Sequence, residues 1–92
     1  MYTAVSTRGY RKAYKQAIKR KDFKPQLLKE IIIRLTHSER LDPRYQDHQL
    51  TGEFKDYREC HIAYDLLLVY QKQDDLLILL LIDLGSHDEV FG

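Results

Sequence analysis

The stretch Tyr57–Leu84, YRECHIAYDLLLVYQKQDDLLILLLIDL, decides the fold. Three segments in it, Tyr57–Ile62, Leu66–Gln71 and Leu76–Leu84, are rich in Tyr, Ile, Leu and Val, which suit a pleated, half-buried surface. Two short polar breaks, Ala63–Asp65 and Lys72–Asp75, separate them. Leu76–Ile82 is apolar at every position, so periodicity does not distinguish a central strand from a buried helix; its length and the preceding Gln73-Asp74-Asp75 favour the strand. The segment therefore reads as a three-strand meander.

A sheet with an apolar face needs a cover, and the first half of the chain supplies one. Tyr10, Ala13, Tyr14, Ala17 and Ile18 fall at the spacing of a one-sided helix, with Arg11, Lys12, Lys15, Lys19 and Arg20 on its other face. Either Ser6 or Thr7 can cap its start. Lys21–Lys24 interrupts the pattern, Pro25 suits the first turn of a second helix, and Leu28, Ile31, Ile32 and Leu35 repeat the stripe. Tyr2–Val5 is β-prone, and Thr36–Glu53, with Pro43 and Gly52, reads as a long loop. The expected fold is a single α+β domain over residues 1–92 in the order β-α-α-β-β-β, a helical hairpin packed on an antiparallel sheet.

Ninety-two residues leave room for one core. A lone cysteine, Cys60, excludes an internal disulfide, and no apolar segment follows Met1 at signal-peptide length, so a cytoplasmic protein is expected. The longest apolar run, Leu76–Ile82, is far short of the roughly 20 residues of a membrane helix. The formal charge of +1 hides an asymmetry: through Gln46 there are twelve Lys/Arg against four Asp/Glu, from Asp47 three against ten. Such a chain offers a positive face to a polyanion, or to an acidic protein, while remaining nearly neutral. A solvated basic helix surface is the simpler meaning of the same charges.

Three of the four histidines, His48, His61 and His87, lie in the loop, the sheet and the segment after the last strand. An extended chain from Tyr57 through Asp65 puts His61, Ala63 and Asp65 on one face and turns Cys60 away. Two imidazoles titrating near neutrality can take a proton from one group and give one to another, which cleavage of RNA by its own 2′-hydroxyl requires. Isolated histidines are more often surface or packing residues. Zinc is disfavoured because adjacent Cys60 and His61 cannot face one ion from a regular strand and no CxxC or HxxxH spacing occurs. No metal and no other cofactor is expected.

The runs DHQLTGEFKDYRECHIAYDLLLVYQ, Asp47–Gln71, and LGSHDEVFG, Leu84–Gly92, resemble the YafQ branch of the RelE/ParE toxins. The likeness covers about half the chain closely and the helical half in pattern only. It implies the same β-α-α-β-β-β order and a type II toxin that cuts mRNA on the ribosome and inhibits translation, under the control of a cognate antitoxin, with no membrane or small-molecule partner. Carried over by position, the functional residues are His48, His61, Asp65 and His87, with Phe91 stacking on a base. The roles expected from the likeness are His48 or Asp65 assisting deprotonation of the 2′-hydroxyl, His87 protonating the leaving oxygen, and His61 holding phosphate or orienting Asp65.

Two positions depart from the family: Asp83 stands where an arginine is usual, and Leu66 where the best-known members carry tryptophan. A carboxylate reverses the sign of the charge that would steady the transferring phosphate. Arg58 and Lys55 are the candidate substitutes, although Arg58 differs in strand parity from His61. The departure gives weight to a second reading, a catalytically weak or inactive binding module on the toxin scaffold, as in ParE-type toxins. The basic face Arg11, Lys12, Lys15, Lys19 and Arg20 is expected to meet ribosomal RNA backbone.

Overall fold

Thr7 does cap the first helix: its hydroxyl accepts the Tyr10 amide at 3.1 Å and donates to the Leu81 carbonyl at 2.8 Å, so one side chain starts the helix and ties it to the sheet. The computed structural model describes residues 1–92. Its elements are β1 (Thr3–Ser6), α1 (Arg8–Ala17), α2 (Pro25–Thr36), β2 (His48–Gln49), β3 (Arg58–Ala63), β4 (Leu66–Gln73), β5 (Ile78–Gly85) and α3 (His87–Phe91). The sheet order is β1-β5-β4-β3-β2. β1 runs parallel to β5, and the remaining neighbours are antiparallel.

The helical hairpin covers one face of the sheet. Tyr10 and Ala17 from α1 and Leu28, Ile31 and Leu35 from α2 meet Cys60, Ile62, Leu66, Leu68, Tyr70, Leu79, Leu81 and Leu84 in one buried cluster. Each fully buried aliphatic side chain there contributes about 1.5–3 kcal/mol of transfer free energy, so the alternation of β3 and β4 is fixed by the core. The opposite face also has buried members. Leu67 sits opposite His61 on β3 and Gly85 on β5, while Val69 sits opposite Glu59 and Asp83. Apolar side chains thus stand between the polar ones on the histidine-bearing face.

The structure redraws four expectations. β4 extends to Gln73 and β5 begins at Ile78, so Leu76 and Leu77 form the hairpin tip, 67% and 50% exposed, rather than the start of a strand. Leu77 has φ 52°, a backbone state a continuous strand cannot contain. The Thr36–Glu53 loop contains β2 and, at Pro43–Tyr45 and Gly52–Phe54, two 3-10 turns. The chain does not stay extended to Asp65, because a register shift lies between His61 and Ala63 and Asp65 turns with φ 51°. Finally, the segment after β5 is helical: Ser86 accepts the Glu89 amide while the Glu89 carboxylate accepts the Ser86 amide, a reciprocal cap.

Candidate active site

Strand pairing delivers the first part of the site. β2 places His48 directly opposite Glu59 on β3, and His48 Nε2 lies 3.1 Å from Glu59 Oε1. His48 Nδ1 lies 2.6 Å from the Gln46 carbonyl. A carbonyl only accepts, so Nδ1 carries a hydrogen and a shared proton is needed in the Nε2–Oε1 contact. Both nitrogens of His48 are therefore engaged. The neighbouring Asp47 is anchored from below: Tyr70 Oη donates to its carboxylate, Arg58 Nη2 lies 3.3 Å from it, and Arg58 Nε donates to Tyr70 Oη at 3.2 Å. Burial and the Asp47 carboxylate push the Tyr70 phenol up, so Tyr70 stays a donor.

Glu59 has the parity of His61, and its Oε1 is 3.7 Å from His61 Nε2. Its side chain is only 6% exposed, and Oε2 is buried without a hydrogen-bond partner. An orphaned acceptor of this kind costs about 1–3 kcal/mol, an expense a folded chain retains at places that work. The His61 and His87 ring centroids are 5.8 Å apart at 67°. His87 is fixed from the other side by Asp65, whose Oδ1 accepts the His87 backbone amide at 2.9 Å and contacts Nδ1 at 3.0 Å. Those two contacts hold the Asp65 carboxyl below the usual carboxylate range. With Nδ1 against Asp65, Nε2 of His87 is the nitrogen left for a ligand.

Phe91 lies one helical turn beyond His87, 6.4 Å between centroids, and packs edge-on against Phe54 at 5.2 Å. A line of rings, Phe54, Phe91, His87 and His61, therefore borders the site. Lys55 follows Phe54 with an exposed side chain.

All four residues marked by the resemblance meet here. Asp65 backs His87 rather than being oriented by His61. His48 has both nitrogens occupied, by the Gln46 carbonyl and by Glu59. Arg58 is held by Asp47 and Tyr70, and is not brought to the imidazoles. Arg20 stands apart from the basic face, because its guanidinium is engaged elsewhere. It chelates Asp22 through two 2.9 Å bonds and donates to the Asp65 carbonyl at 2.9 Å and the Tyr64 carbonyl at 3.3 Å, clamping the β3–β4 turn. Arg11, Lys12, Lys15 and Lys19 remain exposed. Asp83 accepts the Leu84 amide at 2.8 Å and lies across from Val69 on β4, on the sheet face that carries Glu59 and His61. Partial burial raises its carboxyl above the ordinary value. Leu66 is fully buried in the helix-facing core.

Glu59 was missed in sequence, although its parity with His61 was legible. The capping pair Ser86 and Glu89, which holds His87 at the start of α3, was equally readable. One ligand atom each from Glu59, His61 and His87 lies within 4.8 Å of the others, so these three can hold a metal ion. Cys60 is not part of that group; it is fully buried in the core, and burial pushes its thiol up.

The sequence model of a family described as "Bacterial toxin of type II toxin-antitoxin system, YafQ" matches residues 2–92. The mRNA interferase toxin YafQ of Escherichia coli K12 is 40% identical over 48 residues, 52% of this chain and 50% of that protein. The chain thus spans half the length, or less, of the curated relatives it matches. The crystal structure of a metal-bound toxin from Helicobacter pylori superposes with TM-score 0.90 at 41% identity, covering 99% of this chain and 100% of the other. The YafQ chain of the E. coli DinJ–YafQ complex does so with TM-score 0.85 at 28% identity, covering 100% of both chains. With its fold, its histidine-bearing rim and nearly its whole length accounted for, this chain belongs to the YafQ family of bacterial toxins of type II toxin–antitoxin systems.

Proposed function

We propose that the chain is a ribosome-dependent endoribonuclease that cuts mRNA by internal transesterification. The observation that carries this reading is the pair of imidazoles 5.8 Å apart, each backed by a carboxyl: His61 by Glu59 and His87 by Asp65. In the reaction, His61 takes the proton of the 2′-hydroxyl as its oxygen bonds to phosphorus. The bond from phosphorus to the 5′-oxygen breaks, and His87 Nε2 gives that oxygen a proton. The products are a 2′,3′-cyclic phosphate and a 5′-hydroxyl. Asp65 supports the imidazolium form of His87 through the contact at Nδ1, and general acid–base groups so placed contribute about 10²–10⁴-fold each. Leu67, the cross-strand neighbour of His61 and fully buried, gives that imidazole an apolar flank, where charges interact more strongly than in water.

Phe91 stacks on one base of the substrate, and Lys55 lies on its side of the site. Arg11, Lys12, Lys15 and Lys19 meet RNA phosphates of the ribosome. A cognate antitoxin is the protein partner, as DinJ is for the E. coli relative. The binding-module reading draws on Asp83, which lies across from Val69 on the sheet face that carries Glu59 and His61 and puts a carboxylate where the family likeness implies a cation. Growth arrest and cuts in ribosome-bound mRNA, compared between wild type and His87→Ala, test the reading. Loss of both in the variant is expected, and equal toxicity of the two chains would leave only binding.

A further inference from the structure

Beside the His61–His87 pair, and without Phe54 or Phe91 in its lining, lies a cleft of about 500 Å³. That volume is within the range of small-molecule sites, roughly 300–1,000 Å³. The Pro43–Tyr45 turn contributes Arg44 and Tyr45, and the β3–β4 turn contributes Tyr64 and Asp65. Three features mark the cleft. Tyr64 is 94% exposed, an aromatic ring at a turn position where small polar residues are the rule. The Arg44 guanidinium carbon sits 5.3 Å from the Tyr45 ring centroid, laid on the aromatic ring. Arg44 is also the one Lys or Arg that lines the cleft; its one ion-pair partner is Asp42, at 3.5 Å, with both side chains largely exposed.

We propose that this cleft is a nucleotide subsite for the residue flanking the cut on the side away from Phe91. The base stacks on Tyr64, and Arg44, steadied by Tyr45, holds the adjacent phosphate. This rests on the nuclease reading and deepens it, because it names where the second nucleotide goes. It also names a cation for the phosphate in a chain that carries Asp83. The scissile phosphate is then flanked by two aromatic platforms, Phe91 and Tyr64, with the imidazoles between. Stacking tolerates any base, so the subsite sets affinity more than sequence.

The test uses ribosomes programmed with an mRNA that carries 2-aminopurine next to the cut and a 2′-deoxy sugar that blocks cleavage, alongside the cleavable RNA. With the fluorophore placed on either flank in separate messages, binding of the wild-type chain is expected to quench it, through Tyr64 on the flank away from Phe91. Tyr64→Ala should abolish that quench, and Phe91→Ala should abolish quenching on the other flank. Tyr64→Ala and Arg44→Gln should each lower kcat/KM for cleavage by about tenfold, chiefly through KM, as loss of one stacked base or one phosphate contact does. Tyr64 is so exposed that its loss leaves the fold intact. Cleavage unaffected by both variants, with no Tyr64-dependent quench, overturns the subsite and spares the nuclease. A Tyr64-dependent quench without cleavage by wild type upholds the subsite and removes the nuclease, and the absence of both ends both.

Discussion

Replacing Glu59 by glutamine separates catalysis from folding in this chain. The carboxyl is 6% exposed, with Oε1 at 3.1 Å from His48 Nε2 and 3.7 Å from His61 Nε2 and with Oε2 unpartnered. Glutamine keeps the shape, and its amide N–H can donate to His48 Nε2, but it loses the charge that supports a protonated His61. If His61 depends on that charge, the rate falls by the contribution of a general base, about 10²–10⁴-fold, or roughly 3–5 kcal/mol of barrier. Folding should move little, because an amide atom takes the unpartnered place of Oε2 while the loss of the His48 ion pair is offset by the loss of a buried charge. For a chain of this size, 1 kcal/mol is about 4–8 °C in Tm. Primer extension on ribosome-bound mRNA reads the rate, and thermal melting at pH 7 reads stability. Cleavage within about threefold of wild type would refute the reasoning, as would a variant that fails to fold.

Three further outcomes follow from named contacts. Asp83→Asn should raise Tm at neutral pH: the folded-state value is raised above 3.8, so ionisation above that pH costs stability, and the gain should vanish in melts run below it. Arg20→Ala should lower stability by only about 1 kcal/mol, as exposed ion pairs do, yet cut turnover about tenfold because the Asp65 turn loses its clamp; Arg20→Lys should restore little, since one ammonium cannot replace the fork. Neutralising Lys12, Lys15 and Lys19 together should weaken ribosome binding and reduce its salt slope by about 2–3, while an unchanged slope in a binding titration would make the face plain solvated surface.

The fold was legible where burial alone sets the answer. The α1 and α2 stripes and the alternation of β3 and β4 all serve one core, so apolar spacing found them. It failed at Leu76 and Leu77, where apolar residues occupy a hairpin tip and no periodicity marks the turn. His48, His61, Asp65 and His87 were readable as a set, but their pairings were not. Asp65 reaches His87 through a left-handed turn and a register shift, neither of which parity describes. His48 reaches Glu59 through a two-residue strand too short to show in composition. Glu59 and the Ser86–Glu89 cap, by contrast, were plain in the sequence and needed only strand parity and the capping rule.

The chemistry of the cut ends bears most directly on the two-imidazole mechanism. Purified chain is added to ribosomes carrying one defined mRNA, either all-ribose or with a single 2′-deoxy sugar at the mapped cut. The ribose message should yield 2′,3′-cyclic phosphate and 5′-hydroxyl ends, and the deoxy message should stay whole at that position. Cuts in the deoxy message, or 5′-phosphate ends, would contradict a reaction in which His61 activates the 2′-hydroxyl and His87 protonates the departing 5′-oxygen.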